Sequence, residues 1–332
     1  MRALKISLVA ALVAAAGAVG CGAEPGPTDS SVAGVGGDSG GSGGSSTAGA
    51  AGALAGSAGV AGAMGGAGGS LPEGSAGSAG APTQAGAGGS GGSAGGGSGL
   101  SEATHTARAL GSMPDAPAGY WEYLPKGYGD GEPRPLLVFW HGGGEKGSGS
   151  EAELQKILAH GPPKLIAADE WPEDRPFVVL SPQHNEPMCR MAGDAHRAFL
   201  DYAALAYDVD PARVYQTGLS CGALGTADFL ARYGASQLTA AVLIAGDITP
   251  AWEGQGCALA TDMALWALHG ELDTTVLPAG DDTNMPKLIA CPQPRQDVKY
   301  DVYPDVDHDS WTRTYDLSGG HDIYSWLLAQ TK

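Results

Sequence analysis

The chain has 332 residues, 55 of them glycine, and a net charge of −18 that comes from 36 acidic and 18 basic residues. An acidic excess of this size argues against nucleic acid as a partner and against electrostatic docking on anionic lipid. The five cysteines include no C-x-x-C pair and no His/Cys cluster with zinc spacing, so the sequence predicts no metal site.

The N-terminus has the pattern of an export signal. A short basic start precedes an apolar run over residues 6–19, which is too short for a comfortable membrane span. The next residues, A-V-G-C, resemble a bacterial lipobox ending at Cys21, and the Gly that follows favours the outer membrane over the inner one. We therefore predict a lipoprotein-type signal peptide over residues 1–20, lipidation at Cys21, and an exported protein that is an outer-membrane lipoprotein or extracellular. An ordinary signal peptide is the alternative.

Residues 21–100 are rich in Gly, Ala and Ser, and they contain no aromatic residue and no Lys or Arg. Such a segment cannot bury enough apolar surface to offset its ordering entropy. We predict a disordered linker that reaches about 50 Å as a random coil. Residues 101–332 remain for a single α/β catalytic domain, a length that suits one large core.

Within this domain, apolar runs alternate with segments of helical spacing. The patterns predict strands over residues 121–124, 135–140, 177–181, 213–217, 241–245, 265–268 and 298–303. They predict helices over residues 151–160, 194–207, 223–233 and 320–330. Strands that alternate with helices indicate a mostly parallel central sheet with helices on both faces.

The segment from Gly218 to Gly222 reads G-x-S-x-G, the pattern of a nucleophile elbow centred on Ser220. The motif alone is weak in so glycine-rich a chain, and residues 86–92 contain another match. The match at Ser220 differs because a β-rich run precedes it and a segment of helical spacing follows it. We therefore predict Ser220 as a nucleophile.

A serine hydroxyl needs a base to take its proton and an acid to orient that base. In this arrangement the acid and then the histidine follow the serine along the chain, each after a later strand. Asp273 follows the penultimate predicted strand and His308 follows the last one. We predict Asp273 as the acid and His308 as the base, with Glu271 and Asp247 as the rival acids.

Two backbone N–H groups are needed to bind the oxyanion that develops during acyl transfer. The first is that of Cys221, directly after the nucleophile. The second is predicted to come from the turn His-Gly-Gly-Gly over residues 141–144, at Gly143 or Gly144, because glycines let the main chain approach closely.

Other residues have a functional and a structural interpretation. Trp311 and His141 are candidates for a substrate pocket, although core packing is the default for a tryptophan. His141 and His269 each precede a glycine at a strand end, which favours a structural role. Asp281 and Asp282 are interpreted as a solvated acidic loop.

Four cysteines fall in the predicted domain, and in an exported protein they predict two disulfides with three possible pairings. The four are Cys189, Cys221, Cys257 and Cys291. One pairing joins Cys189 to Cys221 over the predicted site and Cys257 to Cys291, but the sequence leaves the choice open.

Several separated motifs occur in one order over about residues 118–329: Y-x-L-P-K-G-Y, HGGGEKGSG, SPQ, DPARVYQTGLSCG, HGELDTTV and YPDVDHDSW. In this combination the chain resembles the α/β-hydrolase group that includes polyhydroxybutyrate-depolymerase-like esterases, feruloyl-esterase-like enzymes and the "predicted peptidase" proteins. The resemblance implies an α/β-hydrolase fold, with Ser220 as nucleophile, Asp273 as acid and His308 as base. Two positions depart from the usual pattern: Cys221, where Met is usual, and Asp307, where Gly is usual.

Together these features predict an exported serine hydrolase that cleaves carboxylic esters through an acyl-enzyme, without a metal or organic cofactor. Its partner is an ester substrate, and the linker suits an ester in a polymer outside the cell. The alternatives are an acyl-peptidase of the same fold and a non-catalytic surface-binding module with a hydrolase fold. The natural substrate and the oligomeric state do not follow from the sequence.

Overall fold

The computed structural model describes residues 101–185, 189, 192–292 and 297–332. The predicted signal peptide over residues 1–20, the lipidation of Cys21 and the linker over residues 21–100 lie outside the described residues and stay predictions. In the described ranges, no helix is long and apolar enough to cross a membrane.

The described residues build one sheet of eight strands. The strands are β1 Thr104–Arg108, β2 Tyr120–Leu124, β3 Arg134–Trp140, β4 Val178–Pro182, β5 Val209–Leu219, β6 Ala240–Ile244, β7 Ala264–Gly270 and β8 Val298–Tyr303. Their order across the sheet is β1-β2-β4-β3-β5-β6-β7-β8. Strand β2 runs antiparallel to β1 and β4, and the pairs from β4 to β8 are parallel.

The central strands are apolar along their whole length because both faces of the sheet are covered. In β3, side chains alternate between two cores: Leu136 and Val138 enter one, and Leu137 and Phe139 enter the other. Every residue of β6 and of β7 is buried. This two-sided burial confirms the predicted fold class of a mostly parallel sheet with helices on both faces.

Helices lie on both faces of the sheet. They are α1 Glu151–Leu154, α2 Gly161–Ala167, α3 Gly193–Ala206, α4 Cys221–Tyr233, α5 Thr249–Gln255, α6 Ala258–Asp262, α7 Ala279–Ile289, α8 Trp311–Tyr315 and α9 Ile323–Leu328, with 3₁₀ turns at Gly143–Glu145 and Gln155–Ala159. Helices α3 to α7 contribute to one core, and α1, α2, α8 and α9 contribute to the other.

Three sequence predictions about elements are wrong in detail. The strand predicted first is in fact the second, because the short polar edge strand Thr104–Arg108 has no apolar alternation to reveal it. The helix predicted over residues 151–160 is divided into α1 and a 3₁₀ turn, and the Gly-Pro-Pro at residues 161–163 that follows it begins α2. Proline suits the first turn of a helix, where its missing N–H is not needed. The last helix begins only after Asp322, whose side chain caps it by accepting the N–H of Ser325.

The interpretation of Asp281 and Asp282 as a solvated acidic loop is also wrong. Both residues lie in the first turn of α7, which begins directly after Pro278. Asp282 is exposed, but Asp281 is 1% exposed and points toward the sheet. Packing of α7 against the end of β7 therefore buries a carboxylate that the local sequence placed in solvent.

The prediction of two disulfides is confirmed, and the structure pairs Cys189 with Cys221 and Cys257 with Cys291. Disulfides of this kind are typical of proteins outside the cytoplasm. The bond from Cys257 to Cys291 joins the start of α6 to the residues that follow α7, 34 positions along the chain.

Replacing Cys257 and Cys291 together by Ser is expected to lower the free energy of unfolding by about 3 to 4 kcal/mol, because the unfolded chain regains the entropy of an open loop. The melting temperature then falls by roughly 6 to 16 °C, measured by circular dichroism on the full-length protein. Cys21→Ser, which removes a cysteine without removing either disulfide, is the control and should leave the melting temperature unchanged. Equal melting temperatures for all three proteins would contradict the prediction.

Candidate active site

The turn between β5 and α4 holds Ser220 in a backbone conformation that L-residues rarely adopt, with φ of 48° and ψ of −114°. Glycine is required two residues before and two residues after Ser220. A Cβ atom on Gly218 would lie 2.6 Å from the carbonyl carbon of Gly222, and one on Gly222 would lie 2.1 Å from the carbonyl oxygen of Trp140. The close packing therefore enforces the sharp turn, which presents Ser220 at the carboxyl edge of the sheet.

The structure brings together the three residues that the sequence predicted as nucleophile, base and acid. The Ser220 Oγ atom lies 2.9 Å from Nε2 of His308, and Nδ1 of His308 lies 2.7 Å from Oδ2 of Asp273. An ionised carboxylate only accepts hydrogen bonds, so Nδ1 carries a proton and Nε2 presents its lone pair to the Ser220 hydroxyl. This is the arrangement in which an imidazole can take a proton from serine.

Asp273 is held as a carboxylate by hydrogen bonds to both of its oxygen atoms. Its side chain is buried, and its Oδ1 atom accepts the N–H groups of Thr275 and Val276 at 2.8 and 2.9 Å. Burial raises the pKa of Asp273, but the hydrogen bonds from His308 and from the two backbone N–H groups outweigh that effect and lower the pKa below its ordinary value. Asp273 is therefore ionised at neutral pH.

The rival acids have other partners. Glu271 is exposed, and its Oε2 atom accepts the N–H of Asp305 at 3.2 Å. Asp247 accepts the N–H of Thr249 at 3.0 Å. Asp273 is the candidate whose hydrogen bond to His308 the structure shows.

The glycine turn packs directly on β5, the strand that leads to the predicted nucleophile Ser220. A Cβ atom on Gly142 would lie 2.6 Å from Cδ1 of Leu219, whereas Cβ atoms on Gly143 and Gly144 would have no neighbour within 4 Å. The open side of the turn is thus at Gly143 and Gly144. Cys221 begins helix α4, so its N–H lacks an acceptor within the helix. That these N–H groups bind an oxyanion stays a prediction.

His141 does not face open space, contrary to its proposed place in a substrate pocket. The ring is fully buried, with Nδ1 2.6 Å from the carbonyl oxygen of Gly142 and Nε2 accepting the N–H of His184 at 3.1 Å. Burial, and then the nearby His184, lower the pKa of His141 to about 3, so the ring is neutral. A neutral ring with both nitrogens occupied by main-chain groups holds the glycine turn in place.

Trp311 lies beside the predicted base. Its ring meets that of His308 edge to face, with 5.0 Å between the centroids. The indole N–H donates to Nδ1 of His160 at 3.3 Å, which fixes the orientation of the ring. Trp311 is partly exposed, and its place in a substrate pocket stays a prediction.

The disulfide between Cys189 and Cys221 ties the start of α4 to the segment that follows β4. Cys221 is buried, and its neighbour in the chain is the predicted nucleophile Ser220. The covalent link therefore restrains the residue whose N–H is the first predicted oxyanion donor. The two cysteines are 32 positions apart, a separation that does not by itself reveal their proximity.

A cavity of about 320 Å³ lies beside the glycine turn, next to residues that precede and follow it. Its lining is mostly apolar and includes Leu110, Ala118, Trp140, His184, Ala195 and Phe199. Its lining does not include Ser220, His308 or either glycine of the predicted oxyanion turn, so the cavity adjoins the predicted site without containing its reacting groups.

A second buried imidazole, His269, lies behind Asp273; the sequence favoured a structural role for it but did not identify its partners. His269 contacts both Asp273 and Asp281, and the three side chains form a continuous group beneath the site. In the sequence, Pro278 could have indicated that a helix begins just after it and that Asp281 lies in the first turn of that helix. Among the described residues, no group of three or more His, Cys, Asp or Glu side chains is arranged to hold a metal ion.

No family model and no curated protein matches the chain by sequence. Among solved structures, the chain is similar to a thermostable esterase, with 21% identity, a TM-score of 0.51 and coverage of 70% of this chain and 64% of the esterase. The match thus spans less than two thirds of that esterase. Together with the strand order, this likeness shows the fold. The chain has the α/β-hydrolase fold.

Two further likenesses are weaker. A Mycobacterium tuberculosis puromycin-hydrolysing peptidase has 16% identity and a TM-score of 0.49, and the match covers 68% of this chain and 39% of the peptidase chain. A feruloyl esterase module from Clostridium thermocellum, complexed with sinapinate, has 16% identity and a TM-score of 0.47, and the match covers 68% of this chain and 86% of the module.

The two departures from the usual motifs fit this α/β-hydrolase fold. Cys221, in place of Met, forms the disulfide with Cys189. Asp307, in place of Gly, accepts the N–H of Asp309 at 3.3 Å with its side chain. Its carbonyl oxygen would lie 2.1 Å from a Cβ atom on Gly270, so the glycine at the end of β7 makes room for the loop that carries His308.

Proposed function

We propose that the chain is a serine hydrolase that cleaves carboxylic esters through an acyl-enzyme. The observation that carries this proposal is the continuous hydrogen-bonded path from Ser220 through His308 to Asp273 at the carboxyl edge of the sheet. The thermostable esterase with the same fold supports an ester as the substrate.

In the first half of the reaction, Nε2 of His308 takes the hydroxyl proton while Ser220 Oγ attacks the ester carbonyl carbon. The carbonyl oxygen becomes an oxyanion and accepts the N–H of Cys221 and one from the glycine turn. Collapse of this intermediate breaks the bond to the alkoxy oxygen, which takes the proton from His308. Asp273 stabilises the imidazolium that exists between the two proton transfers.

In the second half, a water molecule gives its proton to His308 and attacks the acyl carbon bound to Ser220. The bond to Oγ then breaks, the proton returns to the serine, and the carboxylic acid leaves. Each half ends with His308 neutral, so the cycle needs no other proton carrier.

A fluorophosphonate probe tests the proposal, because it phosphonylates only a serine that a base activates. We expect the full-length protein to be labelled on the tryptic peptide that contains Ser220, as read by mass spectrometry. We also expect it to hydrolyse p-nitrophenyl acetate, p-nitrophenyl butyrate or methyl ferulate. Ser318→Ala, which removes an exposed serine, is the control and should label as the wild type does.

The outcomes separate the alternatives. Labelling with no ester turnover, but with cleavage of N-acyl peptides, would replace the esterase by an acyl-peptidase. A protein that is folded yet neither labelled nor active on esters or peptides would overturn the hydrolase and leave a binding module.

A further inference from the structure

Behind the predicted acid lies a histidine that the reaction described above does not use. His269 is the next-to-last residue of β7, and it is fully buried. Its Nδ1 atom lies 2.9 Å from Oδ2 of Asp281, and its Nε2 atom lies 2.9 Å from the carbonyl oxygen of Val276 and 3.2 Å from Oδ2 of Asp273. Both ring nitrogens therefore face oxygen acceptors.

These contacts define the protonation of the ring. A carbonyl oxygen accepts hydrogen bonds only, so Nε2 carries a proton. Asp281 accepts the N–H of Ile248 with Oδ1 at 2.8 Å and faces Nδ1 of His269 with Oδ2 at 2.9 Å. A proton on Nδ1 completes this second hydrogen bond, and the ring that carries both protons is an imidazolium.

The electrostatics agree with that assignment. Burial lowers the pKa of His269, but the hydrogen bond to Asp281, the charge of Asp281, the Val276 carbonyl and the charge of Asp273 together raise it above its ordinary value. The titratable groups that reach the ring are Asp273 from the loop after β7 and Asp281 from α7.

The other charged or titratable groups of the neighbouring elements have their own partners. Asp247, after β6, lies against Gly280 of α7 and accepts the N–H of Thr249. Asp282 of α7 accepts the hydroxyl of Tyr300 in β8, and Asp301 of β8 accepts the indole N–H of Trp266.

We propose that His269 is a positioning residue, an imidazolium held between Asp273 and Asp281 that orients the Asp273 carboxylate toward His308 and offsets its charge. The inference rests on the proposed function. Oδ2 of Asp273 faces both histidines, so the hydrogen bond from His269 helps to fix the oxygen that His308 uses. The positive charge of His269 also weakens the attraction of Asp273 for the proton that His308 takes up.

His269→Gln keeps a polar side chain but removes the charge. We expect kcat/KM to fall about 10- to 100-fold, because a charge-assisted hydrogen bond to Asp273 is lost. We also expect the acid limb of the kcat/KM profile to move upward by about one pH unit, because Asp273 then attracts the His308 proton more strongly. His321→Gln, which changes a partly exposed histidine outside this group, is the matched control and should leave the profile in place.

The rates are expressed per active site titrated with the fluorophosphonate probe, so that misfolded protein does not count. A purely structural role for His269 would lower the number of active sites without moving the acid limb, and that result would overturn the proposal.

A second measurement needs no substrate. The full-length protein is labelled with ¹⁵N at its eight histidines, and the His269 signal is assigned by its loss in His269→Gln. We expect both ring nitrogens of His269 to be protonated at neutral pH, and we expect Asp281→Asn to lower the pH at which the ring loses a proton. A wild-type ring with one unprotonated nitrogen at neutral pH would overturn the proposal. If the protein proved inactive on every substrate, the proposed function would fail while this result still decided the charge of His269.

Discussion

Ser220→Ala should lower kcat for ester hydrolysis by about 10⁴- to 10⁶-fold, the range seen when the nucleophile of a serine triad is removed. The methyl group of Ala cannot attack the carbonyl, and His308 has no hydroxyl proton to take. The change is small in volume and solvent reaches the site, so the melting temperature should stay close to that of the wild type. Initial rates on p-nitrophenyl butyrate with the full-length protein measure the effect.

Non-additivity gives a sharper test of the same site. His308→Ala should lower kcat about as much as Ser220→Ala, and the double variant should be no worse than either single one, because the residues act as one unit. Ser318→Ala is the matched serine control and should keep wild-type rates. Losses that multiply in the double variant would show that Ser220 and His308 act independently, and a Ser220→Ala protein with substantial activity would place the nucleophile elsewhere.

Gly222→Ala should lower the free energy of unfolding by about 3 kcal/mol or more, as overpacking against backbone does. The new Cβ atom would lie 2.1 Å from the carbonyl oxygen and 2.5 Å from the carbonyl carbon of Trp140. These atoms belong to the last residue of the central strand β3 and cannot move aside as a flexible side chain would. The start of α4 must shift instead, and with it the turn that holds Ser220.

Urea unfolding of the full-length protein measures the stability change, and fluorophosphonate labelling measures the loss of active sites. Gly144→Ala is the matched control, because a Cβ atom there has no neighbour within 4 Å, and its stability should lie near that of the wild type. Equal stabilities for the two variants would contradict the close packing between α4 and β3.

The sheet was predictable because burial on both faces makes its inner strands continuous apolar runs. Strands β3, β6 and β7 stand out in the sequence for that reason, and the helix after Ser220 stands out through its spacing and its terminal Gly234, which has a φ of 59°. The edge strand Thr104–Arg108 does not stand out in the sequence, because it is only partly buried and its residues are mostly polar. Patterns of hydrophobicity report burial, and an edge strand has little of it.

The site was predictable in a different way. Ser220 and His308 are 88 positions apart, and His308 and Asp273 are 35 apart, so no local pattern links them. Their order along the chain, each after a strand, was enough to predict that they meet, because the carboxyl ends of parallel strands share one edge of the sheet.

The amino-acid sequence therefore specifies the local elements, the sharp turn at Ser220 and the identity of the residues that meet around it. Tertiary packing decides what surrounds them. It buries Asp281 against His269, occupies both nitrogens of His141 with main-chain groups and selects the partner of Cys221. Burial, protonation and disulfide pairing depend on groups brought together from distant parts of the chain. A pattern of neighbouring residues gives no information about the spatial distances between those groups.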